Sequence, residues 1–232
     1  MKLVTITFTE NERNFDSLIE VWKKSAAYYM PDVEAVVLKI GPPENKKRAC
    51  DKYMRYSSTY AFLKMALWAL KQKDDLILMD CDTFFTGPCQ SAFQEGFDLA
   101  GTVRDAPCWL NGGVVFVRNS FQGKALLNEV IQLIYMICRR PERFEKELKH
   151  FLGADQAALA MLVEEGSIAK LPCEVWNCEQ HSWDKFSEDT RIVHMKSSLW
   201  DLVQGDEMRS KYEEGHNIFK IFDLWKIFLE GN

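Results

Sequence analysis

The chain has 232 residues, enough for one sizeable α/β domain, and 47% hydrophobic residues with 27% charged residues exclude a disordered protein. A net charge of −5 argues against a nucleic-acid binder, which carries a basic footprint. The opening MKLVTITFTE alternates like a strand and lacks the apolar core of a secretory signal, and no window is uncharged for long enough to span a bilayer.

In chain order, LVTITF (3–8) alternates as a strand, and FDSLIEVWKKSAAYY (15–29) repeats its apolar residues at helical spacing. VEAVVLKI (33–40) is a second predicted strand, closed by the loop GPPENKK (41–47). TYAFLKMALWALKQ (59–72) is an apolar-rich helix, and DLILM (75–79) a short strand apolar on both faces. FDLAGTV (97–103) and GGVVFVR (112–118) are further strands, followed by a helix over 119–140. ADQAALAMLVEEG (154–166) is helical and ends at a glycine. SIAKLP (167–172) and RIVHM (191–195) are short strand candidates. In the final NIFKIFDLWKIFLEGN (217–232) the apolar stripe is too wide for a plain surface helix. It predicts packing on the sheet first, and a homodimer contact or a peripheral membrane contact next.

Strands alternating with helices predict an open α/β domain with a mostly parallel central sheet flanked by helices. Ligands of such sheets sit beyond the carboxyl ends of the strands. There the chain reads DDLILMDCDTFF (74–85), with Asp80 and Asp82 two residues apart. In an extended chain these side chains point the same way, and two close carboxylates repel unless a cation lies between them. Oxygen ligands suit Mg²⁺ or Mn²⁺, which leave positions for a substrate's phosphates. The plain alternative is a turn cap at Asp80 and a solvated Asp82. The seven cysteines contain no CxxC pair, which fits reduced, buried thiols and a cytoplasmic location. GxGxxG, GxxxxGK[ST] and HExxH are all missing, which excludes dehydrogenase, P-loop and zinc-protease readings.

The unit of helix, apolar strand and DCDTFF resembles the DxD element of nucleotide-sugar glycosyltransferases with the GT-A fold. Three segments extend the likeness in the same order: WLNGGVVFVRNS (109–120), GADQAAL (153–159) and RIVHMKS (191–197). Together they are similar to the retaining hexosyltransferases of glycosyltransferase family eight. The likeness covers residues 1–200 as a catalytic domain, with 201–232 as a helical segment packed on it.

The resemblance implies a sugar moved from a nucleoside diphosphate donor, a UDP-sugar, to an acceptor hydroxyl on a saccharide, protein or lipid. It implies Mn²⁺ or Mg²⁺ held by Asp80, Asp82 and His194. Asn111, Asp155 and Gln156 are implied near the reacting sugar, with the backbone of Gly112 and Gly113 close to the donor. Thr7 and Thr9 would meet the base and ribose, and Lys64, Arg104 and Lys196 would meet phosphate or sugar. Each residue has an ordinary reading as well: a core histidine, a turn glycine pair, an acidic helix start, a surface lysine. Two departures from the family pattern stand out. Phe62 occupies the position of an arginine that contacts the donor, and SSLWD (197–201) replaces the segment with the phosphate-gripping lysine. A sugar-phosphate nucleotidyltransferase and a non-catalytic sugar-nucleotide-binding protein are the alternatives, although FTENERNF (8–15) lacks the glycine-rich basic signature of the former.

Overall fold

A computed structural model describes residues 1–9, 15–41, 58–151, 153–195 and 215–231. The strands are β1 (Lys2–Phe8), β2 (Glu34–Ile40), β3 (Leu76–Met79), β4 (Thr83–Phe85), β5 (Leu99–Val103), β6 (Leu110–Val117), β7 (Ala169–Pro172) and β8 (Ile192–His194). The helices are α1 (Asp16–Tyr29), α2 (Ser58–Ala69), α3 (Phe121–Arg139), α4 (Glu145–His150), α5 (Ala154–Glu164), α6 (Cys173–Trp176) and α7 (Asn217–Glu230).

The main sheet runs β2-β1-β3-β6-β5-β7. β1 pairs parallel with both β2 and β3, and β5 pairs parallel with β7. β6 alone runs against its neighbours β3 and β5. The mostly parallel sheet expected from the sequence is therefore present, with one reversed strand. The chain crosses from β1 to β2 on one side and returns to β3 on the other, so the winding reverses between β1 and β3. A crevice opens at the carboxyl ends of strands at such a point.

β3 explains its own composition. Leu76 and Leu78 face a core built with α2, α3 and α5, and Ile77 and Met79 face a second core with Trp22 and Ala26 of α1. All four residues are buried, so alternation with polar residues is impossible there. α2 is apolar nearly all round for the same reason: Phe62, Met65, Ala66 and Ala69 lie within the first core. α3 opens on Ser120, whose hydroxyl accepts from Gly123 N at 2.8 Å. α5 closes just before Gly166, whose φ of +78° suits glycine.

RIVHM forms a strand, but outside the main sheet: β8 pairs antiparallel with β4, bringing His194 opposite Thr83. On this ribbon lies a third core, where Val21, Phe84, Trp183 and Val193 meet Ile218, Ile221, Trp225 and Phe228 of α7. α7 thus packs on α1 and the β4–β8 ribbon. Burying those four side chains stabilises the chain by roughly 1.5–3 kcal/mol each. Two short helices, α4 and α6, were not foreseen from the sequence, being too short to show periodicity. Most of the loop GPPENKK lies outside the described residues. Among the described residues, no helix is long and apolar enough to cross a membrane. The six cysteines described are thiols outside any disulfide, and Cys50 lies outside the described residues.

Candidate metal centre and donor site

Asp80 leaves the end of β3 at the winding reversal. Residues 80–82 form a turn rather than the extended segment expected from the sequence. Thr83 Oγ1 donates to Asp80 O at 2.8 Å, and Asp80 N donates to Gly113 O at 2.9 Å, which pins the turn at both ends. Met195 N donates to Asp82 O at 2.7 Å, tying the turn to the end of β8. Convergence therefore comes from a turn braced by two strands, not from strand alternation.

His194 arrives from β8 and completes the group. Its Nε2 lies 3.1 Å from Asp82 Oδ1 and 3.7 Å from Asp80 Oδ2. One ligand atom from each of the three residues lies within 4.8 Å of the others. Two carboxylate oxygens and one imidazole nitrogen make a donor set suited to Mn²⁺ or Mg²⁺. The backbone around them fits that use. A Cβ built at Gly113 would stand 2.6 Å from His194 Nδ1 and 3.0 Å from Asp80 Oδ2, so only glycine lets the ligands close up. Between the aspartates, burial and then the charges of Asp82 and Asp80 push the Cys81 thiol well above its ordinary range. The ligand atoms that converge are the carboxylate oxygens of Asp80 and Asp82 and the imidazole nitrogen of His194.

Gly112 and Gly113 lie in a break of the β5–β6 ladder. Gly101 pairs with Val115 and Thr102 with Asn111, so three residues of β6 have no counterpart on β5. Asn111 Oδ1 accepts from Gly113 N at 2.9 Å and braces the break, while Asn111 Nδ2 is buried with no hydrogen-bond partner among the described residues. On the other side of Gly112 stands the start of α5. A Cβ there would meet Gln156 Cγ at 3.1 Å and Asp155 Oδ2 at 3.7 Å. The glycine pair thus joins the aspartate–histidine group to Asp155 and Gln156.

Asp155 is buried, and its Oδ1 accepts the Thr59 hydroxyl proton from α2. Burial raises its pKa above the ordinary 3.8, opposed by the Thr59 hydroxyl and by the backbone N–H groups of Asp155 and Gln156. The expected helix-start carboxylate is present, but Gly153 holds the capping position. Gln156 is half-buried, with Oε1 3.9 Å from Cys108 Sγ.

Comparison of folds agrees with this geometry. No protein-family model matches the chain, and no curated protein matches it significantly in sequence. Among solved structures it is similar to a glycosyltransferase involved in the glycosylation of the major capsid of PBCV-1. The TM-score is 0.58 at 11% identity, over 87% of this chain and 97% of that one. The chain has a glycosyltransferase fold.

Within this glycosyltransferase-like domain the remaining predicted residues fall in different surroundings. Thr7 is half-buried near the end of β1, and Thr9 is exposed just beyond it, with Oγ1 3.4 Å from Ile40 O. Lys64 is exposed on α2, its Nζ 5.1 Å from the centre of the Tyr60 ring. Tyr60 in turn stacks on Phe8 at 6.4 Å, which brings Lys64 towards the end of β1. Phe62 is buried in the core beneath. The Arg104 side chain, expected to meet phosphate or sugar, is buried and paired with Glu179, and its Nε donates to Cys108 O at 2.7 Å. Lys196 and SSLWD lie outside the described residues.

Sequence reasoning missed Thr59, Thr102, Asn177 and Glu179, all fully buried polar residues beside the site. Asn177 Oδ1 lies 3.0 Å from His194 Nδ1, Asn177 Nδ2 donates to Thr102 Oγ1 at 2.7 Å, and Thr102 Oγ1 donates to Asn111 O at 2.8 Å. No motif marks these residues. Their only signal is burial, which the sequence does not print.

Proposed function

We propose that the chain is a metal-dependent hexosyltransferase that moves a sugar from a UDP-sugar to an acceptor hydroxyl with retention of anomeric configuration. The observation that carries this reading is the convergence of Asp80, Asp82 and His194 at the winding reversal of a glycosyltransferase fold. When bound, Mn²⁺ or Mg²⁺ neutralises the charge that the leaving diphosphate develops. Asp80, Asp82 and His194 hold it there. The bare backbone of Gly112 and Gly113 lets the donor approach closely, and Asn111 Nδ2, without a partner among the described residues, is a donor for a sugar oxygen. Asp155 accepts from sugar hydroxyls, and Gln156 stands beside the anomeric carbon. Thr7 and Thr9 take the base and ribose, and Lys64 reaches a phosphate from α2. Lys196, two residues after His194, is assigned a second phosphate contact. Arg104 is not assigned one, because Glu179 already neutralises it. No protein nucleophile is required if a leaving phosphate oxygen takes the acceptor proton.

A thermal-shift screen of nucleotide sugars, each with and without Mn²⁺, tests the reading. A UDP-sugar should raise the melting temperature only with the metal, and Asp82→Asn should abolish both that shift and metal-dependent donor hydrolysis. Full activity in Asp82→Asn would remove the metal group from the mechanism. Pyrophosphate release from a nucleoside triphosphate would identify a nucleotidyltransferase instead.

A further inference from the structure

The hydrogen-bond chain behind His194 has a direction, and its far end fixes it. Asn111 O is a backbone carbonyl that can only accept, so the one hydroxyl proton of Thr102 points to it across 2.8 Å. Thr102 Oγ1 must accept on its other side, which puts the amide nitrogen of Asn177 at 2.7 Å. The same amide therefore turns its oxygen towards His194, 3.0 Å from Nδ1. Nδ1 is therefore the donor on this side, so in the neutral ring the proton sits on Nδ1 and Nε2 keeps its lone pair.

That lone pair faces Asp82 Oδ1 at 3.1 Å and Asp80 Oδ2 at 3.7 Å. In the neutral ring three electron-rich atoms so placed repel one another unless a metal ion or a further proton lies among them. The reverse chain would put the proton on Nε2 and make a simple histidine–aspartate hydrogen bond, closing the site to metal. Thr102 and Asn177 are fully buried, and His194 and Asn111 are 2% exposed, so water cannot substitute for any link or reverse it.

We propose that Asn177, locked by Thr102, is the positioning residue that holds His194 as the Nδ1–H tautomer and so opens Nε2 to a divalent cation. This rests on the metal reading given above. The chain ends on the backbone of Asn111, whose side chain braces Gly113, so the histidine and the glycine cradle form one unit. Second partners of this kind commonly set metal affinity by 10–100-fold.

The test measures the His194 tautomer by ¹⁵N NMR in metal-free protein, and Mn²⁺ affinity by electron paramagnetic resonance of the unbound ion. Wild-type protein should report Nδ1–H and bind Mn²⁺. Asn177→Leu and Thr102→Val should move the proton to Nε2 and weaken Mn²⁺ binding about 10–100-fold, while Thr102→Ser keeps both properties. A neutral ring whose only proton is on Nε2 in the wild type, a measurement that needs no variant, overturns the inference. So does Asn177→Leu protein that is folded and binds Mn²⁺ as tightly as the wild type. Wild-type protein showing Nδ1–H that the variants lose, yet binding neither Mn²⁺ nor Mg²⁺, refutes the metal reading and leaves control of the ring by Asn177 standing.

Discussion

One methyl group at Gly113 is enough to part the candidate metal ligands. The added Cβ would stand 2.6 Å from His194 Nδ1 and 3.0 Å from Asp80 Oδ2, and neither side chain can retreat, since β8 and the 80–82 turn hold their backbones. Gly113→Ala should therefore lower Mn²⁺ affinity at least about tenfold by calorimetry. Gly41→Ala, with no described atom within 4 Å of the new Cβ, is the matched control. Asp155 carries a second prediction. Its folded pKa is raised by burial, so the folded chain binds that proton more tightly than the unfolded chain does. Its contribution to stability is fully present below the unfolded pKa and is lost as pH rises through the folded one. Urea unfolding between about pH 4 and 7 should show wild type losing stability relative to Asp155→Asn. A constant gap across that range would contradict the raised pKa.

At the scale of elements, the start of α3 shows how backbone overrides propensity. Alanine is the better helix former, yet a Cβ at Gly123 would meet Asp98 O at 2.8 Å and crowd Arg118 O. Removing the Ser120 cap costs about 1 kcal/mol. Gly123→Ala should cost more than Ser120→Ala in chemical denaturation, because two carbonyls of the backbone must shift. The same level holds the reason why RIVHM, a strand as expected, could not be given its partner, and why residues 80–82 turn instead of running extended. A strand's residues announce that it is extended, but not which strand it joins. β8 pairs with β4 because Val193 and Phe84 share a core with α7, a match between segments over a hundred residues apart. The turn at 80–82 likewise depends on Gly113 O and Met195 N, which no local pattern shows.

Across the whole molecule, α7 and the ribbon that carries His194 share one core, so the C-terminal helix bears on the site from behind. Trp225 is 2% exposed there. Trp225→Ala should lower the unfolding free energy by about 3–5 kcal/mol within a single cooperative transition. A loss below about 1 kcal/mol, or a separate early transition for α7, would show the helix to be a loosely attached appendage.

The sequence by itself determined the α/β class, the apolar strand before Asp80, the helices at both sides, and the residue types suited to a cation and a diphosphate. These are local: hydrophobic period and the identity of oxygen and nitrogen donors are written in consecutive residues. It also marked Gly112 and Gly113 as a place of close approach, although not what approaches. Only the tertiary structure decided that Gly113 shelters His194, that Arg104 is neutralised by Glu179, and that Thr102 and Asn177 stand behind the histidine. Those contacts join residues far apart in the chain, and each exists because burial leaves a polar atom no partner but the one that folding supplies.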